Sequence, residues 1–261
     1  PKENRLSLAD LVSHRKTGVD NTGNVCVWDS ELSLAYLLYH HYSDFPFASE
    51  SSPRRILELG TGMAGLSAIA LGLRLILLEP SDAQSMVHVT LTDGHPDGVQ
   101  NNRVNKFLTT ILSAAEEQHP YNWLDISTQV LLWTTNVDPC ISPPQDLVLV
   151  SDCTHFQTFH AALAITALKS LRVGGIAIFC QPTRGDSLDN FCTLLKTCSA
   201  LVALDWLSHP VLEKHDSQAV ETYPTLYDRD LHCPRVLLIR KLREMTETDC
   251  LTFVQHQATR H

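Results

Sequence analysis

The chain has 261 residues, a formal net charge of −9, 44% hydrophobic and 19% charged residues, a balance that supports a packed core and excludes a disordered polyelectrolyte. Its basic residues are dispersed, which disfavours nucleic acid as a partner, because such binders draw most of their affinity from neutralising phosphates. No apolar run reaches the roughly 18 residues of a membrane-spanning helix, and no basic-then-apolar leader opens the chain; it starts at Pro1 rather than Met, so a preceding segment is expected.

In chain order, residues 6–12 have the spacing of a short amphipathic helix, 18–23 read as a turn, and 28–42 as a helix with Asp29 or Ser30 as N-cap. A polar hinge at 49–53 leads into alternating segments. Short apolar runs bounded by turn residues predict strands at 55–59, 88–92, 129–133, 147–151 and 176–180. Helical spacing fills 64–73, 97–115 and 158–171. Strand–helix alternation of this kind builds βαβ units, hence an α/β fold of Rossmann-like type with a largely parallel sheet. A helix at 187–198 and strands at 202–207 and 235–242 follow. The connection 209–234 is long, polar and aromatic, and a loop of that length usually has a function. Beyond Met245 the chain is polar and is expected to fray. Three parts result: an N-terminal helical segment (1–52), the α/β domain (53–243) and a polar tail (244–261).

The eight cysteines are scattered without a CxxC pair, and the histidines, His40-His41, His160 and His209 among them, lie apart. Zinc sites read from sequence need closely spaced ligands, so no metal is expected. Cysteines inside apolar runs, such as Cys180, act as small hydrophobes. Reduced thiols point to the cytosol or the nucleus.

The most informative segment is Glu58-Leu-Gly60-Thr-Gly62-Met-Ala-Gly65. It ends a predicted strand and opens a predicted helix, the setting of a nucleotide-binding turn. Gly60 and Gly62 let the backbone turn tightly against a ligand, and Gly65 permits close helix–strand packing. The glycines fit NAD and S-adenosylmethionine equally. Glu58 favours the second, since a carboxylate suits a cationic cofactor and repels a pyrophosphate. A second acid, for the ribose hydroxyls, is expected at the next strand end. Glu79 closes the run 75–78 and lies at the more usual spacing; Asp93 closes the better strand, which would make 75–86 an inserted loop. Trp133 ends the third predicted strand, where an indole packs on adenine or is simply buried. Ser151 and Asp152 end the fourth, at the ligand-facing edge of an open sheet, with capping of the following helix as the alternative role for both.

These residues resemble a known family. The run Asn21-Thr-Gly-Asn-Val-Cys-Val-Trp28, Ser30-Glu31, Leu34-Ala-Tyr36, then Glu58 to Gly62, Leu91-Thr-Asp-Gly94, Val130 to Trp133, Ser151-Asp-Cys153, Arg184-Gly-Asp-Ser-Leu-Asp-Asn-Phe-Cys192 and Tyr227 to Pro234 are similar to the calmodulin-lysine N-methyltransferases, within the seven-strand protein-lysine methyltransferases. The resemblance spans roughly residues 6–242. It implies a seven-strand, mostly parallel sheet with an antiparallel last strand and helices on both faces, S-adenosyl-L-methionine as cofactor, and calmodulin as protein substrate. It further implies that Trp28, Glu58, Gly60, Asp93, Trp133 and Ser151 line the cofactor site and that Asp152 serves catalysis. The family pattern after the fourth strand is Asp, two residues, then an aromatic; here His155 holds the aromatic position and Phe156 follows. Tyr223, Tyr227 and His232, in the 209–234 connection, either line a lysine channel with His155 or cover a sheet edge. The alternatives to a calmodulin enzyme are a methyltransferase of another protein and a non-catalytic adapter that binds the cofactor.

Overall fold

The computed structural model describes residues 26–48, 53–78, 86–115, 123–135 and 141–259. The predicted helix 6–12, the turn 18–23, residues 49–52 of the hinge and Glu79 lie outside the described residues.

The elements are α1 (Asp29–His40), a 3-10 turn (Tyr42–Asp44), β1 (Arg55–Leu59), α2 (Leu66–Leu78), β2 (Val87–Asp93), α3 (Pro96–Ala115), β3 (Leu124–Val130), β4 (Gln145–Ser151), α4 (His160–Ser170), β5 (Leu171–Gln181), α5 (Ser187–Lys196), β6 (Val202–Leu207), α6 (Pro210–Thr222), α7 (Arg229–His232), β7 (Arg235–Lys241) and α8 (Glu247–Ala258). The seven strands form one sheet in the order β3-β2-β1-β4-β5-β7-β6. Pairs β1–β2, β1–β4, β2–β3 and β4–β5 are parallel. The last strand, β7, runs antiparallel to β5 and to β6, between which it inserts.

Because successive strand residues point to opposite faces, each central strand feeds two cores. Ile56, Leu147, Leu149, Ile176, Ile178, Val236 and Leu238 join the α1–α2 side with Leu34, Leu37, Ala68 and Leu71. Leu57, Leu59, Val148, Val150, Ala177, Phe179, Leu237 and Ile239 join the side of α4, α5 and α8, with Leu163, Phe191 and Phe253. These strands are apolar on both faces because helices cover both.

Four expectations are corrected. The third strand is Leu124–Val130, not 129–133; alternate positions of this edge strand are exposed and polar, so the apolar run that signals a strand lies beyond its end. The run 75–78 continues α2 as helix rather than opening an inserted loop. Within the connection 209–234 lies α6, started by the His209 side chain, which accepts from Val211 N, and by Pro210 at the first helical position. The polar tail forms α8, nucleated by a reciprocal capping box between Thr246 and Asp249 and anchored by buried Cys250 and Phe253. A smaller difference concerns α1, whose N-cap is Trp28 without a side-chain bond, Asp29 lying in the first turn.

Candidate functional site

Strand order reverses at β1 and β4, where the chain departs to opposite sides of the sheet. At such a switch point the carboxyl ends of the two strands border a crevice that takes ligands. The glycine turn follows β1 there, and Ser151–Asp152 follows β4.

The turn is held from three sides. Thr61 N and Oγ1 both donate to Thr92 O, at 3.0 and 3.1 Å, and Gly62 N donates to Asp93 Oδ2 at 2.8 Å. Asp93 Oδ1 also accepts from His95 N at 2.7 Å, so the carboxylate at the end of β2 is fixed beside the turn. From α3, Asn102 Nδ2 donates to Thr61 Oγ1, and Asn105 Nδ2 donates to the carbonyls of Met63 and Ala64 at 3.1 and 2.9 Å. The conformation demands glycine: φ is +67° at Gly60 and +53° at Gly62. A Cβ on Gly60 would come within 2.6 Å of Cys153 Sγ and 3.2 Å of Trp133 Cζ2, so the indole lies directly against the turn.

Glu58 follows the pleat rather than facing the crevice. It shares parity with Ile56, so its side chain enters the α1–α2 face, where it is 1% exposed and Oε2 accepts from Ala68 N at 2.9 Å. Glu31 of α1 converges on the same first turn of α2, with Oε1 accepting from Leu66 N at 2.7 Å. Burial pushes both carboxyls up, and the charge of Glu31 raises Glu58 further. Ser67 Oγ lies 3.5 Å from Ser151 Oγ, which brings the fourth strand's end to this turn.

Asp152 follows β4 with φ +51°, and Arg184 has φ +47°; these are the two non-glycine residues in the left-handed region among the described residues. They face each other: Arg184 Nε and Nη2 donate to the two Asp152 carboxylate oxygens at 2.9 and 2.7 Å. The next helical turn is a 3-10 turn at Gln157–Phe159 with Phe156 as its N-cap, and the α-helix follows from His160, so Asp152 caps no helix. The guanidinium also lies 5.5 Å above the Trp28 ring. Side chains from three distant stretches of the chain thus meet at one point. Strain at paired residues of this kind collects at functional sites.

The Asp152 turn has a support that the sequence reading missed. Fully buried Gln181, at the end of β5, accepts from Cys153 N at 2.7 Å, Thr154 N at 3.1 Å and Thr154 Oγ1 at 3.2 Å, and donates to Val150 O at 2.8 Å. The last β4–β5 partners are Ser151 and Cys180, so this amide replaces the strand that β4 leaves behind. The predicted strand stopped at residue 180, one short of it. Asn102 and Asn105 are polar helix positions with no motif of their own, and Glu31, though part of the resemblance, carries no sequence signal for its role as a support.

The remaining candidates divide. Trp133 lies three residues beyond β3 and packs edge-on against Phe159, centroids 6.5 Å apart. The His155 ring lies tilted against Phe156, centroids 3.9 Å apart, with Nδ1 3.3 Å from Asp152 O. Phe156 in turn meets Phe159 at 6.3 Å, so the displaced aromatic rejoins the Trp133 cluster. Tyr227 and His232 stack at 5.5 Å, but the Tyr227 hydroxyl donates to Asp216 Oδ1 at 2.9 Å. Burial and that carboxylate push the phenol well above its ordinary range. Tyr223 is 57% exposed at the end of α6. The α7 turn is tied to the Arg184 loop, because Arg184 N donates to Asp230 O at 2.8 Å and Gly185 N to Asp230 Oδ2 at 2.6 Å.

The pieces fit S-adenosylmethionine: a tight glycine turn at the end of β1, an indole against it, and a fixed carboxylate at the neighbouring strand end. Comparison with known proteins agrees. A family model described as lysine methyltransferase matches residues 10–198. The chain is 29% identical over 245 residues to a calmodulin-lysine N-methyltransferase of Arabidopsis thaliana, covering 90% of this chain and 71% of that one. A protein of Listeria monocytogenes assigned to the class I S-adenosylmethionine-dependent methyltransferases superposes with a TM-score of 0.52 at 13% identity, covering 91% of this chain and 67% of that one. An O-methyltransferase of Bacillus cereus gives 0.48 at 14% identity, with 92% of each chain covered. With the sheet order and the glycine turn of an S-adenosylmethionine-dependent methyltransferase and a family match over residues 10–198, this chain belongs to the lysine methyltransferase family.

Proposed function

We propose that the chain transfers a methyl group to the ε-amine of a lysine on another protein, and that calmodulin is the substrate to test first. The observation that carries the reading is the convergence, at the switch point, of the glycine turn and Asp93 with the Asp152–Arg184–Trp28 cluster on the facing strand end. The relative in Arabidopsis thaliana, by its name a calmodulin-lysine enzyme, supports the choice of substrate.

The bound cofactor supplies a methyl carbon on a cationic sulfur. In this reading Gly60 and Gly62 would admit it to the backbone, Asp93 would hold its ribose, Trp133 would pack on its adenine, and Trp28 and Ser151 would shape the methionine end, while Glu58, buried on the α1–α2 face, braces the first turn of α2 behind them. When bound, the cofactor would give that methyl directly to the lysine nitrogen, the sulfur losing the bond that the nitrogen gains, once the lysine had released its ammonium proton to water. Most of the acceleration is positional, from holding nitrogen and methyl about 3 Å apart in line. Asp152 contributes through its pair with Arg184. A free carboxylate would hold the incoming ammonium charged, whereas the neighbouring guanidinium favours the neutral amine. His155 and Tyr223 are the side chains nearest to a substrate-facing role; Tyr227 and His232 hold the rim between α6 and α7.

The experiment is transfer from labelled S-adenosylmethionine to purified calmodulin, with cofactor binding by calorimetry and Asp93→Ala and Asp152→Ala variants. Transfer to lysine that is lost in both variants supports the reading. Cofactor binding without transfer to calmodulin or to other proteins favours the adapter, for which His155 at the family's aromatic position speaks.

A further inference from the structure

At the far end of α1, three potential ligands from separate parts of the chain converge. His41 follows the helix, Asp44 ends the 3-10 turn, and His209 stands 165 residues beyond Asp44 at the start of α6. Asp44 Oδ2 lies 3.1 Å from His209 Nε2 and 3.4 Å from His41 Nδ1. The three ligand atoms all fall within 4.8 Å of one another. A helix of 12 residues is roughly 18 Å long, so this cluster is remote from Trp28 and the crevice.

Two nitrogen or oxygen ligands at about 2.0–2.2 Å from a tetrahedral ion stand roughly 3.3 Å apart. Both Asp44 edges match that span. The ligand types match as well, since imidazole and carboxylate without thiolate suit a borderline divalent ion and disfavour a soft monovalent one. The site is also accessible and braced. The His209 side chain is 9% exposed and Asp44 48% exposed, so one wall is fixed while the other opens to solvent. Ser43 Oγ donates to Asp44 Oδ1 at 3.4 Å, leaving Oδ2 directed at the histidines.

We propose that His41, Asp44 and His209 bind a divalent transition-metal ion of the zinc type, with water completing its shell. One local bond opposes it. His209 Nδ1 accepts from Val211 N at 3.2 Å, which leaves the proton of the neutral ring on Nε2, toward Asp44. Coordination through Nε2 moves that proton to Nδ1 and gives up the cap at the start of α6, so the site binds more weakly than one with a matched second shell. The ion would fasten α6, which leads to Tyr223, to the helix that carries Trp28.

The test is calorimetric titration of the chelator-stripped full chain with Zn²⁺ alone, repeated on His41→Ala and Asp44→Ala. Neither change touches the Val211 cap, and circular dichroism verifies that both variants fold. The expected result is about one equivalent in the unaltered chain and at least a ~10-fold weaker affinity in each variant, with a zinc-induced rise in thermal midpoint confined to the unaltered chain. Absence of saturable binding overturns the proposal. Affinity in both variants equal to that of the unaltered chain overturns it too, by putting the ion on other side chains.

Discussion

Replacing Gln181 by leucine tests whether the Asp152 turn depends on one buried amide. Leucine fills nearly the same volume on the α4 face, so the change removes hydrogen bonds without opening a large cavity. Two backbone donors lose their acceptor, Cys153 N and Thr154 N, now bonded at 2.7 and 3.1 Å. Thr154 is itself 1% exposed and has no water to turn to. An orphaned buried donor costs about 1–3 kcal/mol. Allowing for some relaxation, we expect Gln181→Leu to lose about 3 kcal/mol of stability. At roughly 2–4 °C per kcal/mol for a chain near this size, the thermal midpoint should fall by about 6–12 °C. Urea titration gives the free energy, and the labelled-methyl assay reports the turn: transfer should drop more than cofactor affinity, because Gln181 bonds directly to the turn after Asp152 and reaches the glycine turn only through the Cys153 thiol. A stability loss below about 0.5 kcal/mol, the size of a neutral surface change, would refute the clamp.

Three further outcomes are expected. Gly60→Ala places a methyl 2.6 Å from Cys153 Sγ at φ +67°; the backbone strain alone costs about 1–2 kcal/mol, and calorimetry should find S-adenosylmethionine bound about tenfold more weakly, a difference of about 1.4 kcal/mol. Glu58 has its pKa raised to about 8, by burial first and then by Glu31. The folded state therefore holds more protons than the unfolded chain from the ordinary carboxylate range up to that value, and stability declines as pH rises through the window. The thermal midpoint should fall between about pH 5 and pH 8, with a flatter curve in Glu58→Gln; identical slopes would count against the buried carboxyl pair. Phe253→Ala, in the core formed by α8, should cost about 3–5 kcal/mol in chemical denaturation, whereas a change under about 1 kcal/mol would mean that this helix frays.

The alternation of apolar runs and helical periods along this chain was enough to determine an α/β fold, because strand and helix patterns are local and each writes its own period. The segment from Glu58 to Gly65 was equally legible, since a tight turn between strand and helix restricts residue type at each position. Asp93, Ser151 and Asp152 could be named as candidates because the carboxyl ends of strands in an open parallel sheet lie on its ligand-binding edge. Other features depended on packing. Burial of Cys250 and Phe253 makes a helix of a polar tail, and exposure at an edge blurred the limits of β3. The direction of the Glu58 side chain follows from strand parity together with the position of α1, and α1 brings Glu31 to the same turn. Gln181 beneath Asp152, Arg184 against Trp28, and His209 beside Asp44 are contacts across long stretches of chain. Tertiary structure alone decided them, because a side chain's partner is set by which elements the sheet order places together, and no local period in the sequence records that order.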